Sequence, residues 1–539
     1  MKYIQYHSGN FFKINIKHSL SYGVLLVCTT FSSSSFATAD LPFYDPILYS
    51  LKPEAALHAP VMNTAAVMYH SIKLDSGKTL NYKVTTGHVT TRPTDNGPAA
   101  SVFYTAYTAE TDKPNTRALT FFFGGGWNGP GTPMQLNYWG PMRLFNNTGT
   151  AESPVFPLAP AADTLLDQSD LIYIDRPMVG YSQAILPAKN RDFDSMKGDS
   201  DVLRDFISEY IRLNSKQASP KYLYSGSQGG ERSAILANKL FAAHISLDGI
   251  ILHSPSTMNY NASCDDNIND VTNGRKPSHH CADYIPTLAA TSYYYGIAGK
   301  GMTFEHFMSD VNNFVDNTYI PQELAALREE KELPEKTVQK LLSITGFSRE
   351  SLEEFPYFWT FRDPKMTYID AANLKCASYS DTSPDCPYQP NDMRRRKDAP
   401  GALGFNDNLY TRLEEFFTQS LGYTSRVKFT CWDGPTLCEK TSPPTEKITL
   451  KRMPKSISSV MPYWRQAMRD NKKLRLLNIG GYYDFTVPFH AILRDFADPE
   501  LDQTRIQNLI LHNGHNISHV SDPVRAEIKT LVTRFYQKK

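Results

Sequence analysis

A series of short apolar, β-rich runs, at 66–74, 101–107, 118–123, 171–174, 222–224, 249–252, 474–479 and 507–511, most constrains how this chain folds. Between several of them lie helical patterns. Over 199–213, Val202, Phe206, Ile207, Tyr210 and Ile211 recur at helical spacing behind the acidic start Asp199 and Asp201. Strands separated by crossover helices predict an α/β fold with a mostly parallel sheet. The strand signals fade from 256 to 463, so this stretch reads as an insertion, a largely helical cap over the sheet. The expected organisation is a signal segment at 1–39, a core from 40 to 255, the cap at 256–463, and a return to the core at 464–539. No internal repeat is apparent.

The first 39 residues contain Lys2, Lys13 and Lys17, no acid, an apolar run near 20–31, and small residues Ala37 and Ala39 before Asp40. That order predicts a secretory signal peptide cleaved near Ala39 and export to the periplasm or beyond. The apolar run is shorter than the roughly 20 residues of a membrane span, so no span is expected in the mature chain. The whole sequence has 56 basic and 55 acidic residues, and losing the three lysines leaves it slightly acidic. No field for nucleic acid follows. Cleavage also removes Cys28, leaving Cys264, Cys281, Cys376, Cys386, Cys431 and Cys438, all within the insertion. An even set in an exported chain predicts disulfides, with the connectivity open. A metal site at His279, His280 and Cys281 is the weaker reading, since zinc needs more ligands at defined spacing. The basic run at 393–398 reads as a solvated loop open to proteolytic nicking.

The stretch YLYSGSQGGERSA, 222–234, runs from a strand through a tight turn into a helix. A serine on such an elbow is normally flanked as Gly-x-Ser-x-Gly, because neighbouring side chains would collide. Here the pattern is Ser225-x-Ser227-x-Gly229, and alone it does not separate a nucleophile from a structural turn. A hydroxyl also needs an imidazole to take its proton and a carboxylate to hold that imidazole. Asp484 lies just beyond the run ending LLNIGGYYDF, and His515 beyond LILHNGH. The order Ser227, Asp484, His515 is the chain order of α/β-hydrolases.

The segments VFYTAYTAE, DLIYIDRPMVGYSQA, SPKYLYSGSQGGERSA, LDGIILHSP, LAATSYYYGIAGKG and LRLLNIGGYYDFTVPF, in this order, resemble the bacterial branch of the serine carboxypeptidase family along nearly the whole mature chain. The resemblance implies an α/β-hydrolase fold with a helical insertion, Ser227 as nucleophile, His515 as general base and Asp484 as the residue that orients it. It also implies a peptide or ester substrate and no cofactor or metal. In FFFGGGWNGPGTP, matching Pro130-Gly131 to the family's Pro-Gly makes the N–H of Gly129 an oxyanion donor beside that of Gln228. A lipase-like use of Gly125 or Gly126 is the alternative.

The departures bear on substrate. The family's elbow carries a glutamate that helps hold a terminal carboxylate; here the position is Gly226. The family's partner asparagine falls on Trp127, with Asn128 displaced by one. Losing such groups weakens exopeptidase recognition, and Arg176 is a replacement cation unless a nearby acid such as Asp175 engages it. The leading activity is a carboxypeptidase. The alternatives are an esterase or acyltransferase using the same triad, or a silent binding protein on the same fold. Without the paired acids, an optimum near neutral pH is expected, governed by a histidine of ordinary pKa about 6.5. His519, four residues after His515, reads as a loop residue rather than a metal ligand, and His512 as a strand end. Tyr293, Tyr294, Tyr295, Phe355, Tyr357, Phe358 and Trp359 read either as pocket lining or as the insertion's own core. Sequons at Asn146, Asn261 and Asn516 carry no weight here.

Overall fold

The computed structural model describes residues 39–538 apart from 62–64, 94–96, 127–128, 146–156, 258–280, 295, 330, 347–348, 350–411, 430–458, 485–486 and 516–521. Residues 1–38, Trp127, Asn128, the three sequons, His279, His280, Tyr295, the 355–359 aromatics, the 393–398 run and His519 therefore lie outside the described residues. So do Cys264, Cys376, Cys386, Cys431 and Cys438, while Cys281 is described only as the start of a 3-10 turn.

Every apolar run singled out above forms a strand. The principal strands are β1 (Ala65–Lys73), β2 (Thr79–Thr90), β3 (Ala100–Ala109), β4 (Leu119–Phe123), β5 (Asp170–Ile174), β6 (Lys221–Gly226), β7 (Gly249–His253), β8 (Arg475–Gly481) and β9 (Ile506–Leu511). They belong to one ten-stranded sheet in the order β9, β8, β7, β6, β4, β5, β3, β2, β1, with the short strand Gln183–Ala184 beside β3. The pairs from β5 through β4, β6, β7 and β8 to β9 are parallel, and β1, β2 and β3 form an antiparallel wing. This exchange of β4 and β5 inside an otherwise sequential sheet is the α/β-hydrolase fold.

The helices flank both faces. Those used below are α1 (Met196–Leu213), α2 (Gly229–Ala242), α3 (Tyr284–Tyr294), α4 (Phe304–Phe314), α5 (Ile320–Glu329), α6 (Glu335–Thr345), α7 (Met461–Asp470), α8 (Phe489–Phe496) and α9 (Asp522–Gln537). Strand β4, LTFFF, is buried throughout, and its alternation divides the core. Phe121 and Phe123 pack with residues of α1, α2 and α7. Phe122 faces the other way, stacked between Tyr173 and Tyr224 at 4.5 and 4.8 Å, in the layer that includes Ile528 and Phe535 of α9. Each such ring stabilises the fold by about 1.5–3 kcal/mol relative to exposure. Helix α1 begins where Ser195 caps it, accepting from the Gly198 N–H at 3.0 Å.

Between β7 and β8 the chain leaves the sheet, and its described helices α3, α4 and α6 bury a cluster of their own that includes Tyr483 and Phe489 from the core. A three-residue strand, Tyr423–Ser425, returns to pair in parallel with Phe43–Asp45. A buried ionic clasp joins the insertion to α8. His490 contacts Asp283 through Nδ1 at 2.8 Å and Asp316 through Nε2 at 3.2 Å, and Arg494 also donates to Asp283 at 2.6 Å.

Candidate active site

Because β4, β6, β7, β8 and β9 run in one direction, their carboxyl ends share an edge, where open α/β sheets bind ligands. Ser227 follows β6 and stands at φ +52°, a left-handed conformation that a non-glycine residue keeps only when its surroundings impose it. Its N–H donates to the His253 carbonyl at 3.0 Å, and its carbonyl accepts from Gly230 and Ser256, both at 2.9 Å. Helix α2 begins immediately afterwards, so the Gln228 N–H belongs to the first-turn amides that have no partner within their own helix.

The unusual serine at the head of the motif has a local reason. The Ser225 hydroxyl donates to the Phe123 carbonyl at 2.8 Å, fastening β6 to the end of β4. It occupies the space in which a β-carbon on Gly229 would stand, 1.7 Å away, so the glycine at the motif's far end makes room for the hydroxyl. Gly226 is equally constrained. A β-carbon there would lie 2.0 Å from Cε1 of His253, whose buried ring fills the place where a side chain at 226 would begin.

Asp484 is fully buried after β8, and His515 reaches it after β9. His515 Nδ1 lies 2.9 and 3.1 Å from the two carboxylate oxygens, and the Val487 N–H donates to Oδ1 at 2.9 Å. His253 connects this pair with the elbow. Burial, and to a smaller degree the charge of His515, lower its pKa to about 3, so the ring over Gly226 is neutral and within electrostatic reach of His515. Its Nε2 meets the Tyr138 hydroxyl at 2.8 Å.

The glycine loop after β4 is braced from behind. Arg232 donates to the carbonyls of Gly124 at 2.9 Å and Gly126 at 3.0 Å, and Arg176 lies 3.4 Å from that of Gly129. Both guanidinium groups converge on one Asp199 carboxylate oxygen. Burial and the neighbouring Arg232 charge lower Arg176 to about 10. A nearby acid thus engages Arg176, through a bond to Asp199; the charge of Asp175 also acts on it, while the Asp175 carboxylate accepts from the Thr132 amide and hydroxyl at 2.8 and 2.5 Å. Turning the Gly124 carbonyl toward Arg232 turns the Gly125 N–H away from it. A β-carbon on Gly125 would stand 3.1 Å from Cβ of Ser227, whereas one on Gly129 would strike the Gly125 carbonyl. Of Gly125, Gly126 and Gly129, Gly125 is the one at which an added β-carbon would meet the elbow serine.

The insertion reaches the loops of Asp484 and His515. Tyr294 packs edge-on against Tyr483 with centroids 5.8 Å apart, and Phe304 contacts His512 at 4.6 Å. His512 directly follows the last residue of β9, and its Nδ1 meets the Tyr483 hydroxyl at 2.9 Å. Tyr293 belongs to the insertion's own core, against Phe304 and Phe307. Among the described residues, no group of three or more His, Cys, Asp or Glu could hold a metal ion, and no helix is long and apolar enough to cross a membrane.

Sequence reasoning missed His253, Tyr138, Asp199 and Arg232 as parts of this site. A histidine closing the apolar run GIILH and the charged pair Glu231-Arg232 directly after an elbow were the available signals.

No family model matches the chain, and no curated protein does. Among solved structures it is similar to a prohormone-processing carboxypeptidase from Saccharomyces cerevisiae, at 12% identity over 85% of this chain and 91% of that one, with TM-score 0.48. It is also similar to a thermophilic esterase from Thermogutta terrifontis, at 11% identity over 83% and 99% with TM-score 0.33. A peroxisomal α/β-hydrolase from Saccharomyces cerevisiae gives 10% identity over 84% and 89% with TM-score 0.32. Similarities this remote leave the chemistry to be argued from the side chains.

Proposed function

We propose that the chain is an exported serine hydrolase working through an acyl-enzyme. The observation that supports this reading is that a serine held at φ +52° and the buried His515–Asp484 pair all follow the carboxyl ends of parallel strands at one edge of the sheet. In this reading Ser227 Oγ attacks an acyl carbon while His515 Nε2 takes its proton, and Asp484 holds the Nδ1–H tautomer and steadies the imidazolium. The oxyanion forms between the Gln228 N–H and an N–H of the glycine loop, from Gly125 or Gly129. His515 then protonates the leaving group, and water repeats the sequence to release the acid.

The resemblance of the sequence to serine carboxypeptidases makes removal of a C-terminal residue from peptides the leading activity. A specific observation favours the ester reading beside it. The neutral ring of His253 stands where the family's carboxylate-binding glutamate would begin, and Arg176 is engaged by Asp199. The discriminating experiment is turnover of blocked dipeptides, each as free acid, amide and ester, followed by mass spectrometry with Ser227→Ala as control. Release chiefly from free acids establishes the carboxypeptidase, and turnover of esters alone establishes the esterase. Covalent tagging of the wild type by a fluorophosphonate, lost in Ser227→Ala, excludes a silent binding protein.

A further inference from the structure

Glu231 has no place in the chemistry above, yet it lies on the first turn of α2, four residues after Ser227, and is 2% exposed. Burying a carboxyl is costly unless a partner compensates for the lost water, and an apolar residue would fill the same space more cheaply. Its hydrogen-bond partner is the Ser256 hydroxyl, which donates to Oε1 at 2.6 Å. Ser256 is buried as well, and its N–H is one of the two donors to the Ser227 carbonyl.

These contacts close a ring. From Ser227 the chain runs through the first turn of α2 to Glu231, across to Ser256, and back to Ser227. The end of β7 and the turn after it thereby hold both peptide groups of the strained residue, His253 taking its N–H and Ser256 binding its carbonyl. That segment is fastened in three places. His253 is held by Tyr138, Ser254 donates its N–H to the Ile479 carbonyl of β8 at 2.6 Å, and Ser256 is held by Glu231. Ser254 is itself at φ +42°, so the segment that holds the strained Ser227 carries a left-handed residue of its own. A left-handed non-glycine residue costs on the order of 1–3 kcal/mol and persists only where its surroundings over-determine it.

We infer that Glu231 is a positioning residue, which acts through Ser256 to hold Ser227 in its attacking conformation. The inference rests on Ser227 being the nucleophile. Burial raises the Glu231 carboxyl to about 7, against the lowering effects of Ser256 and Arg232, so below that pH glutamine is a close mimic of the form present.

The test combines fluorophosphonate labelling rates with kcat and KM on a small ester for Glu231→Leu, Glu231→Gln, Ser256→Ala and the Glu231→Leu/Ser256→Ala pair. A misplaced reacting group costs on the order of 10²-fold. Glu231→Leu is therefore expected to lose roughly that factor in kcat and in labelling rate, with KM within about twofold. Glu231→Gln, which keeps an acceptor for Ser256, is expected to recover most of the loss. Ser256→Ala should resemble Glu231→Leu, and the pair should be no worse than either alone, since all remove one linkage. Wild-type labelling rates in Ser256→Ala overturn the inference even if Glu231→Leu fails to fold. A rise in KM at unchanged kcat in Glu231→Gln or Glu231→Leu also overturns it, by making Glu231 a substrate contact. Failure of the underlying reading looks different: the wild type is then not labelled, or Ser227→Ala still is.

Discussion

The imidazole of His253 lies over the α-carbon of Gly226, with Cε1 2.0 Å and Nε2 2.1 Å from where a β-carbon would stand. The strand pairing places the two residues directly opposite each other on β6 and β7. Any side chain at 226 must displace a buried ring that is itself bonded to Tyr138.

Gly226→Ala is therefore expected to reduce fluorophosphonate labelling of Ser227 by roughly tenfold or more, because the elbow must shift to admit one methyl group. Adding His253→Ala to that variant should restore part of the loss. Contacting residues couple in this way, and strictly additive effects of the two substitutions would refute the packing argument.

Asp484→Asn keeps the shape of the His515 contact while removing the charge and favouring the wrong tautomer. Its kcat on an ester at neutral pH should fall by a factor on the order of 10⁴, with KM little changed. A loss below tenfold would mean that Asp484 does not orient the histidine.

Asp199→Ala leaves the buried guanidinium groups of Arg176 and Arg232 without their shared acid. Removing one partner from a buried ion pair costs about 3–5 kcal/mol, so thermal denaturation should show a clear drop in Tm. Arg176→Gln should slow free acids, amides and esters alike, since Arg176 braces the glycine loop. A rise in KM confined to free acids would show instead that Arg176 reads a substrate carboxylate.

The clasp between α8 and the insertion carries its own pH dependence. Burial alone would lower the pKa of His490, but hydrogen bonds to Asp283 and Asp316, with their charges, raise it to about 9. Its folded pKa thus exceeds the ordinary value of about 6.5. The stabilisation is fully present below about 6.5 and is lost as pH rises through about 9. Tm should accordingly differ most between wild type and His490→Gln below about 6.5, and the difference should vanish above about 9. A gap that does not change with pH would sink this account.

The parallel strands were legible because residues such as Phe121, Phe122 and Phe123 are buried on both faces and form unbroken apolar runs. Strand β2, TLNYKVTTGHVT, went unread. Its threonines and lysine dilute the apolar signal, although Leu80, Tyr82 and Val84 alternate into the core. The elbow and the two loops bearing Asp484 and His515 were readable from local punctuation. What packs against them was not, since the approach of His253 to Gly226 depends on strand neighbours that sequence distance hides. That Arg176 is held by an acid is a reading the sequence allows, but the acid that bonds it, Asp199, lies 23 residues on, at the start of α1, where sequence distance gives no hint of it.

The insertion departs from β7 and returns to β8, which are paired neighbours in the sheet, and it divides Ser227 from Asp484 and His515 along the chain. Synthesis from the N-terminus therefore produces the elbow, its helix and the strands around it long before β8 and β9 exist to present the other two residues. A ribosome-bound chain that has not yet made the end of β9 lacks His515 altogether, and one truncated there keeps the strained serine with nothing to accept its proton. In the proposed reading the C-terminal strands arm the enzyme, which confines reactivity to chains that have already made β9 and the loop bearing His515.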